Sequence, residues 1–293
     1  MNSPKTGNRE HALSLRARFT LTAVALLGVF GGSGCGAFVV EGGVFPLPTI
    51  HLVYPVPAQL GLHFETVLID SPTGPMFGWF IPADNARGTV FINHGAVLNR
   101  AGYFPHYLLL NDIGYNVFIY DYQGFGENFN VALMTNILGD SDRALEHLQS
   151  RTDPGTDKII IFGLSMGTLN SMAQAARNPD RVVGVMLEGS FIHESLPPFA
   201  FLVMGITPSP LAYAQIPPEL NPEANAPKIT LPKLFLQSRD DTITPFDSAT
   251  ELFNLSIDPK EFVPLSGLHA YSVLIDANYA PRLKAFLDAV TAE

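Results

Sequence analysis

The sequence predicts an α/β fold: a mostly parallel, eight-stranded sheet with helices on both faces. Three observations carry this. Short runs rich in Val, Ile and Phe recur along the chain. Several are apolar throughout rather than alternating, as strands covered on both faces are. Segments that suit helices lie between the later runs, and strands alternating with helices imply right-handed crossovers and parallel pairing.

Taken in order, the strand-like runs are "HFETVLI", "MFGWFI", "GTVFIN", "YNVFIYD", "KIIIFGL", "VVGVMLE", "KLFLQS" and "EFVPL". No helix separates the first two, which predicts an antiparallel start to the sheet. The intervening helices are expected at Tyr103 to Ile113, Asn136 to Arg151, Met166 to Asn178 and Asp247 to Leu255, with a last one at Tyr271 to Val290. One interval breaks the rhythm. Residues 191–230, after the sixth strand, are proline-rich and carry "PPFAFLVMGITPSPLAYA" without a strand signal. A structureless loop of that length is improbable in a compact domain, so a small lid over one end of the sheet is expected, with a meandering surface connection as the alternative.

At 293 residues the chain is long enough for one large α/β domain, and 47% apolar against 15% charged residues fits an ordered interior rather than a disordered chain. The net charge is −10, and it becomes −13 once the first 34 residues, which hold four bases and one acid, are set aside. So acidic a body, with no basic stripe interleaved with aromatics, excludes nucleic acid as a natural partner.

The chain opens as an address rather than as part of the fold. Lys5, Arg9, Arg16 and Arg18 precede the uncharged "FTLTAVALLGVF", and small residues then lead to the only cysteine in "GGSGCGAF". This order resembles a bacterial lipoprotein signal, which implies cleavage before Cys35, lipid modification of Cys35 and a membrane anchor. The expected division is a signal peptide at 1–34, a Pro/Gly-rich tether at 35–57 and the α/β domain at 58–293, with the lid insertion at about 191–230. A secretory peptide cut at another small residue, or a retained anchor from Phe19 to Val40, remains open. Each of the three places the body outside the cytoplasm, and a single cysteine permits no internal disulfide.

The chemistry concentrates in "KIIIFGLSMGTLNSM". A buried strand runs into Gly163-Leu164-Ser165-Met166-Gly167 and then into a helical segment, and a sharp turn of this kind lifts a serine hydroxyl above the sheet edge where only glycines tolerate the crowding. Three further stretches accompany it: "FINHGAV", "YDYQGFGEN" and "LFLQSRDDTITP". Together, from about His63 onward, they resemble the α/β-hydrolase superfamily, and within it serine hydrolases related to carboxylesterases, lipases and aminopeptidase-like enzymes.

That resemblance implies the α/β-hydrolase fold and a nucleophile, acid and base in that order along the chain. Ser165 would be the nucleophile. Only His193 and His269 follow it, and His269, in "SGLHAY" after the last strand, matches the superfamily's base. The superfamily's spacing before Pro245 selects Asp241 as the acid, with its neighbour Asp240 and Glu188, at the end of the sixth strand, as alternatives. The oxyanion donors implied are the backbone N–H groups of Met166 and Ala96, while His94, Asp121 and Gly124 would shape loops. The expected activity is hydrolysis of a small-molecule acyl substrate, a carboxylic ester with a hydrophobic portion ranking first. The competing readings are a peptidase, an acyltransferase or a non-catalytic binding module on the same scaffold. No His-Glu-x-x-His or other ligand spacing points to a metal, and no Gly-x-Gly-x-x-Gly follows a strand, so no cofactor is expected.

Overall fold

The computed structural model describes residues 54–96, 98–128, 130, 134–192 and 217–292. The leader, Cys35, most of the expected tether, His193 and the rest of 193–216 lie outside the described residues.

Eight strands form one sheet: β1 Glu65–Ile69, β2 Met76–Ile81, β3 Thr89–Asn93, β4 Asn116–Tyr120, β5 Ile159–Leu164, β6 Gly184–Glu188, β7 Lys233–Ser238 and β8 Lys260–Leu265. Their spatial order is β1-β2-β4-β3-β5-β6-β7-β8. The expected antiparallel start is present and reaches one strand further, since β2 pairs antiparallel with both β1 and β4. Every later pairing is parallel. Every residue of β3, β4, β5 and β6 is buried, which is why these runs read as continuous apolar text rather than as an alternation.

The helices that cover the sheet are α1 Phe104–Asp112, α2 Met134–Gln149, α3 Gly167–Arg177, α4 Phe246–Leu255 and α5 Tyr279–Thr291. Four of them lie within a few residues of their expected positions. The fifth does not: the segment expected as one helix from Tyr271 divides into a 3-10 turn, Ser272–Leu274, and α5 from Tyr279. Pro281 supplies the reason, because it lacks an N–H and clashes in a helix interior but is tolerated in a first turn. The Asp276 carboxylate holds the break, accepting from the Asn278 and Ser266 amides at 2.8 Å each.

Two expected surface segments are drawn into the body. Tyr54 is buried, and the Tyr107 hydroxyl donates to the Pro55 carbonyl at 3.0 Å, so the end of the expected tether is fixed to α1. The last part of the 191–230 interval forms short helical turns, Pro218–Leu220, Pro222–Asn225 and Ala226–Lys228. Leu220, Ala226 and Ile229 from this stretch join the main hydrophobic core. Among the described residues no helix is long and apolar enough to cross a membrane.

The strand order brings the motif-bearing loops together. From β3 the chain crosses to β4 on one side, and β5 lies on the other, so the carboxyl ends of β3 and β5 flank a switch point, where open α/β sheets bind ligands. The register pairs Asn93 with Gly163 and Leu164 with Glu188. Three segments therefore leave the sheet side by side: His94-Gly95-Ala96, Ser165-Met166 and Gly189.

Candidate active site

Ser165 stands between β5 and α3 with φ of +54°, a left-handed conformation that is uncommon for a residue with a side chain. The surroundings hold it there. Its N–H donates to the Glu188 carbonyl at 2.8 Å, and its own carbonyl accepts from the Thr168 amide at 2.8 Å and the Thr168 hydroxyl at 2.7 Å. The flanking glycines are required by space. A Cβ on Gly163 would lie 2.6 Å from Ser171 Oγ, and one on Gly167 would lie 2.0 Å from the Asn93 carbonyl oxygen. Because the second obstacle is backbone, Gly167→Ala is expected to destabilise the fold by about 3 kcal/mol, the upper range for overpacking. A denaturant midpoint unchanged from wild type would contradict that packing.

The partners expected downstream converge on Ser165. His269 Nε2 lies 2.7 Å from Ser165 Oγ, and His269 Nδ1 lies 2.7 Å from Asp241 Oδ2. Gly189, with φ of +69°, lies beneath the imidazole; a Cβ there would come within 3.0 Å of His269 Cε1. The Asp241 side chain is 1% exposed, while the His269 side chain retains 14%, so the line of contacts runs from the interior toward solvent.

Asp241 is held as an ionised carboxylate. Oδ1 accepts from the Ile243 and Thr244 amides at 2.8 and 2.9 Å, and Oδ2 accepts from the Thr244 hydroxyl at 2.8 Å. Burial pushes its pKa up, but the hydrogen bond and charge of His269 and the donors of Thr244 outweigh that, leaving it below the usual carboxylate value. Both alternative acids face elsewhere. Asp240 Oδ2 accepts from the Gly267 amide at 3.1 Å. The Glu188 carboxylate meets Tyr279, His106 and the Ser272 amide.

Ala96 and Met166 are both buried beside the serine. A Cβ on Gly95 would lie 3.1 Å from Ser165 Cβ, which shows how closely the β3 loop approaches Ser165. Neither the Ala96 nor the Met166 N–H has a hydrogen-bond partner among the described residues. The Met166 N–H also stands at the N-terminus of α3, where the helix dipole favours negative charge. His94 takes the loop-shaping place expected of it: Nδ1 bonds the Gly95 carbonyl at 2.7 Å, and the ring packs 4.2 Å from Tyr122 between centroids. Burial holds its pKa low, against the opposing pull of Asp121 and the Gly95 carbonyl. Asp121 also shapes this loop, accepting from the Arg100 amide at 2.6 Å and pairing with its buried guanidinium.

Two supporting residues escaped the sequence. Thr244 bonds Asp241 and also lies 3.2 Å from His269 Nδ1; its place three residues after Asp241, just before Pro245, was the available signal. Tyr103 accepts the Gly95 N–H at 2.9 Å, a contact that no local pattern announces.

Comparison with known proteins agrees with this architecture. The model of the serine aminopeptidase S33 family (Hydrolase_4) matches residues 84–224, a stretch that contains Ala96 and Ser165 and ends before Asp241 and His269. The chain is 25% identical over 198 residues to the Escherichia coli K12 protein YfhR, covering 64% of this chain and 66% of that one. It is 31% identical over 152 residues to the α/β-hydrolase domain-containing protein WAV2 of Arabidopsis thaliana, half of this chain and 49% of WAV2. The solved structure of the Pyrococcus furiosus esterase Pf2001 superimposes with a TM-score of 0.66 at 18% identity, covering 81% of this chain and 95% of the esterase. The eight-stranded sheet, its strand order and these likenesses establish that the chain has the α/β-hydrolase fold.

Proposed function

We propose that the protein is a serine hydrolase that cleaves a carboxylic ester through an acyl-enzyme. The observation that carries this reading is the unbroken line Asp241–His269–Ser165, with both imidazole nitrogens 2.7 Å from their partners. In this reading Ser165 Oγ attacks the substrate carbonyl while His269 Nε2 takes the hydroxyl proton. Asp241 holds the Nδ1–H and stabilises the imidazolium. The negative charge that develops on the carbonyl oxygen meets the Ala96 and Met166 N–H groups, and one such donor is worth about 10²–10³ in rate. His269 then returns the proton to the departing alkoxide, and the alcohol leaves. Water, activated by the same imidazole, attacks the acyl-enzyme and frees the acid.

The apolar text of residues 197–214 favours a hydrophobic acyl or alcohol portion. So does Leu268, 62% exposed beside His269. A fluorophosphonate probe tests the reading: mass analysis of the labelled protein should place one adduct on Ser165, and an unlabelled wild type would favour a binding module instead.

The leader supports export and anchoring through a lipidated Cys35. Labelled-lipid incorporation in cells is expected for the wild type and lost in Cys35→Ser; incorporation that survives the substitution would exclude this anchor.

A further inference from the structure

Glu188 ends β6 with its side chain buried, yet it carries a charge-bearing group among aromatic rings. A desolvated carboxylate is costly unless donors surround it. Here the donors come from three separate parts of the fold. Tyr279 at the start of α5 donates its hydroxyl to Oε2 at 2.5 Å, and His106 on α1 places Nε2 3.2 Å from the same oxygen. The Ser272 amide, three residues beyond His269, donates to Oε1 at 3.3 Å. Buried His106 Nδ1 has no partner among the described residues, so the ring satisfies its environment best with the proton on Nε2, donated to Glu188. The main chain of the same residue points the other way: its carbonyl receives the Ser165 N–H at 2.8 Å, and the next residue, Gly189, underlies the imidazole.

We propose that Glu188 is a positioning residue for the Ser165–His269 pair, its carbonyl fixing the serine amide and its carboxylate fixing the turn that follows the histidine. One residue thus sets both sides of the Nε2–Oγ contact, and an acceptor-only group is needed because every neighbour presents a donor. This role rests on the serine hydrolase reading above. It differs from the triad acid, since the Glu188 carboxylate faces the Ser272 amide and the two aromatic donors while His269 Nδ1 faces Asp241.

The isosteric Glu188→Gln tests the idea in the full chain. It turns one accepting oxygen into a donating NH₂ that must face either the Ser272 amide or the Tyr279–His106 pair. The expected result is a kcat on a p-nitrophenyl ester about 10- to 100-fold lower, with KM within about twofold, because small misplacement of reacting groups slows the chemical step. The rate of fluorophosphonate labelling should fall in parallel. A role in stability alone would lower the melting temperature and leave kcat unchanged below it, and that outcome overturns the proposal. If Glu188→Gln does not fold, Tyr279→Phe decides: a lowered kcat at constant KM supports the role, and wild-type kcat overturns it. Failure of the hydrolase reading has a separate signature, a wild type that takes no label at Ser165.

Discussion

Ser165→Ala is expected to lose all fluorophosphonate labelling and to lower kcat/KM on a short ester by about 10⁴–10⁶-fold. That is roughly 5–8 kcal/mol of transition-state stabilisation. The fold should survive, because the hydroxyl makes its contact with His269 rather than with the core, and the Ser165 N–H and carbonyl bonds remain available. His269→Ala should cost a similar factor, and the double substitution should be scarcely worse than either alone. A nucleophile without its base and a base without its nucleophile are equally idle, so the losses do not add. Losses that multiply would mean that the two residues act independently, and the proposed mechanism would fall with them.

Asp241→Asn should lower kcat by about 10³–10⁴-fold with little effect on KM. The two oxygens of Asp241 have different neighbours: Oδ1 takes the Ile243 and Thr244 amides, and Oδ2 takes the Thr244 hydroxyl, His269 Nδ1 and, at 3.3 Å, the Gln237 side-chain amide. An asparagine satisfies the two fixed amides with its single oxygen and turns its NH₂ toward the imidazole. His269 must then accept at Nδ1 and carry its proton on Nε2, where it can no longer take the proton of Ser165. Activity within about tenfold of wild type would remove Asp241 from the acid's role.

The same substitution has a pH signature. The folded carboxyl lies below its unfolded value of about 3.9, so its contribution to stability is present above that value and is lost as the pH falls through the lower folded one. The stability margin of wild type over Asp241→Asn should therefore be full near neutrality and shrink below about pH 4 in denaturant titrations.

The strands were legible because a strand covered on both faces needs no partner to declare itself: "VFI" within β3 and "IIIFGL" in β5 carry no polar side chain, and both strands are buried at every position. The turn at Ser165 was legible for a steric reason. Gly163 and Gly167 leave no room for a Cβ, and that demand is written locally, within five residues of chain. The last helix was misread because apolar spacing continued through Tyr271 to Asn278, where the Asp276 bonds and the needs of Pro281 prevailed.

By itself, then, the amino-acid order determined the α/β alternation, the antiparallel beginning and the candidates Ser165, His269 and the Arg239-Asp240-Asp241 stretch. Local sterics and hydrophobic period suffice for the alternation and for the turn at Ser165, while His269 and the aspartates were singled out by the resemblance to the α/β-hydrolase superfamily. Only the tertiary structure decided which of two adjacent aspartates turns toward the imidazole: Asp241 does, and Asp240 goes to the Gly267 amide. It alone revealed that Glu188, an alternative acid on sequence grounds, instead ties the turn after His269 to α1 and α5. Side-chain direction at a strand end and the meeting of segments about a hundred residues apart depend on how the sheet is ordered, and no local pattern encodes that order.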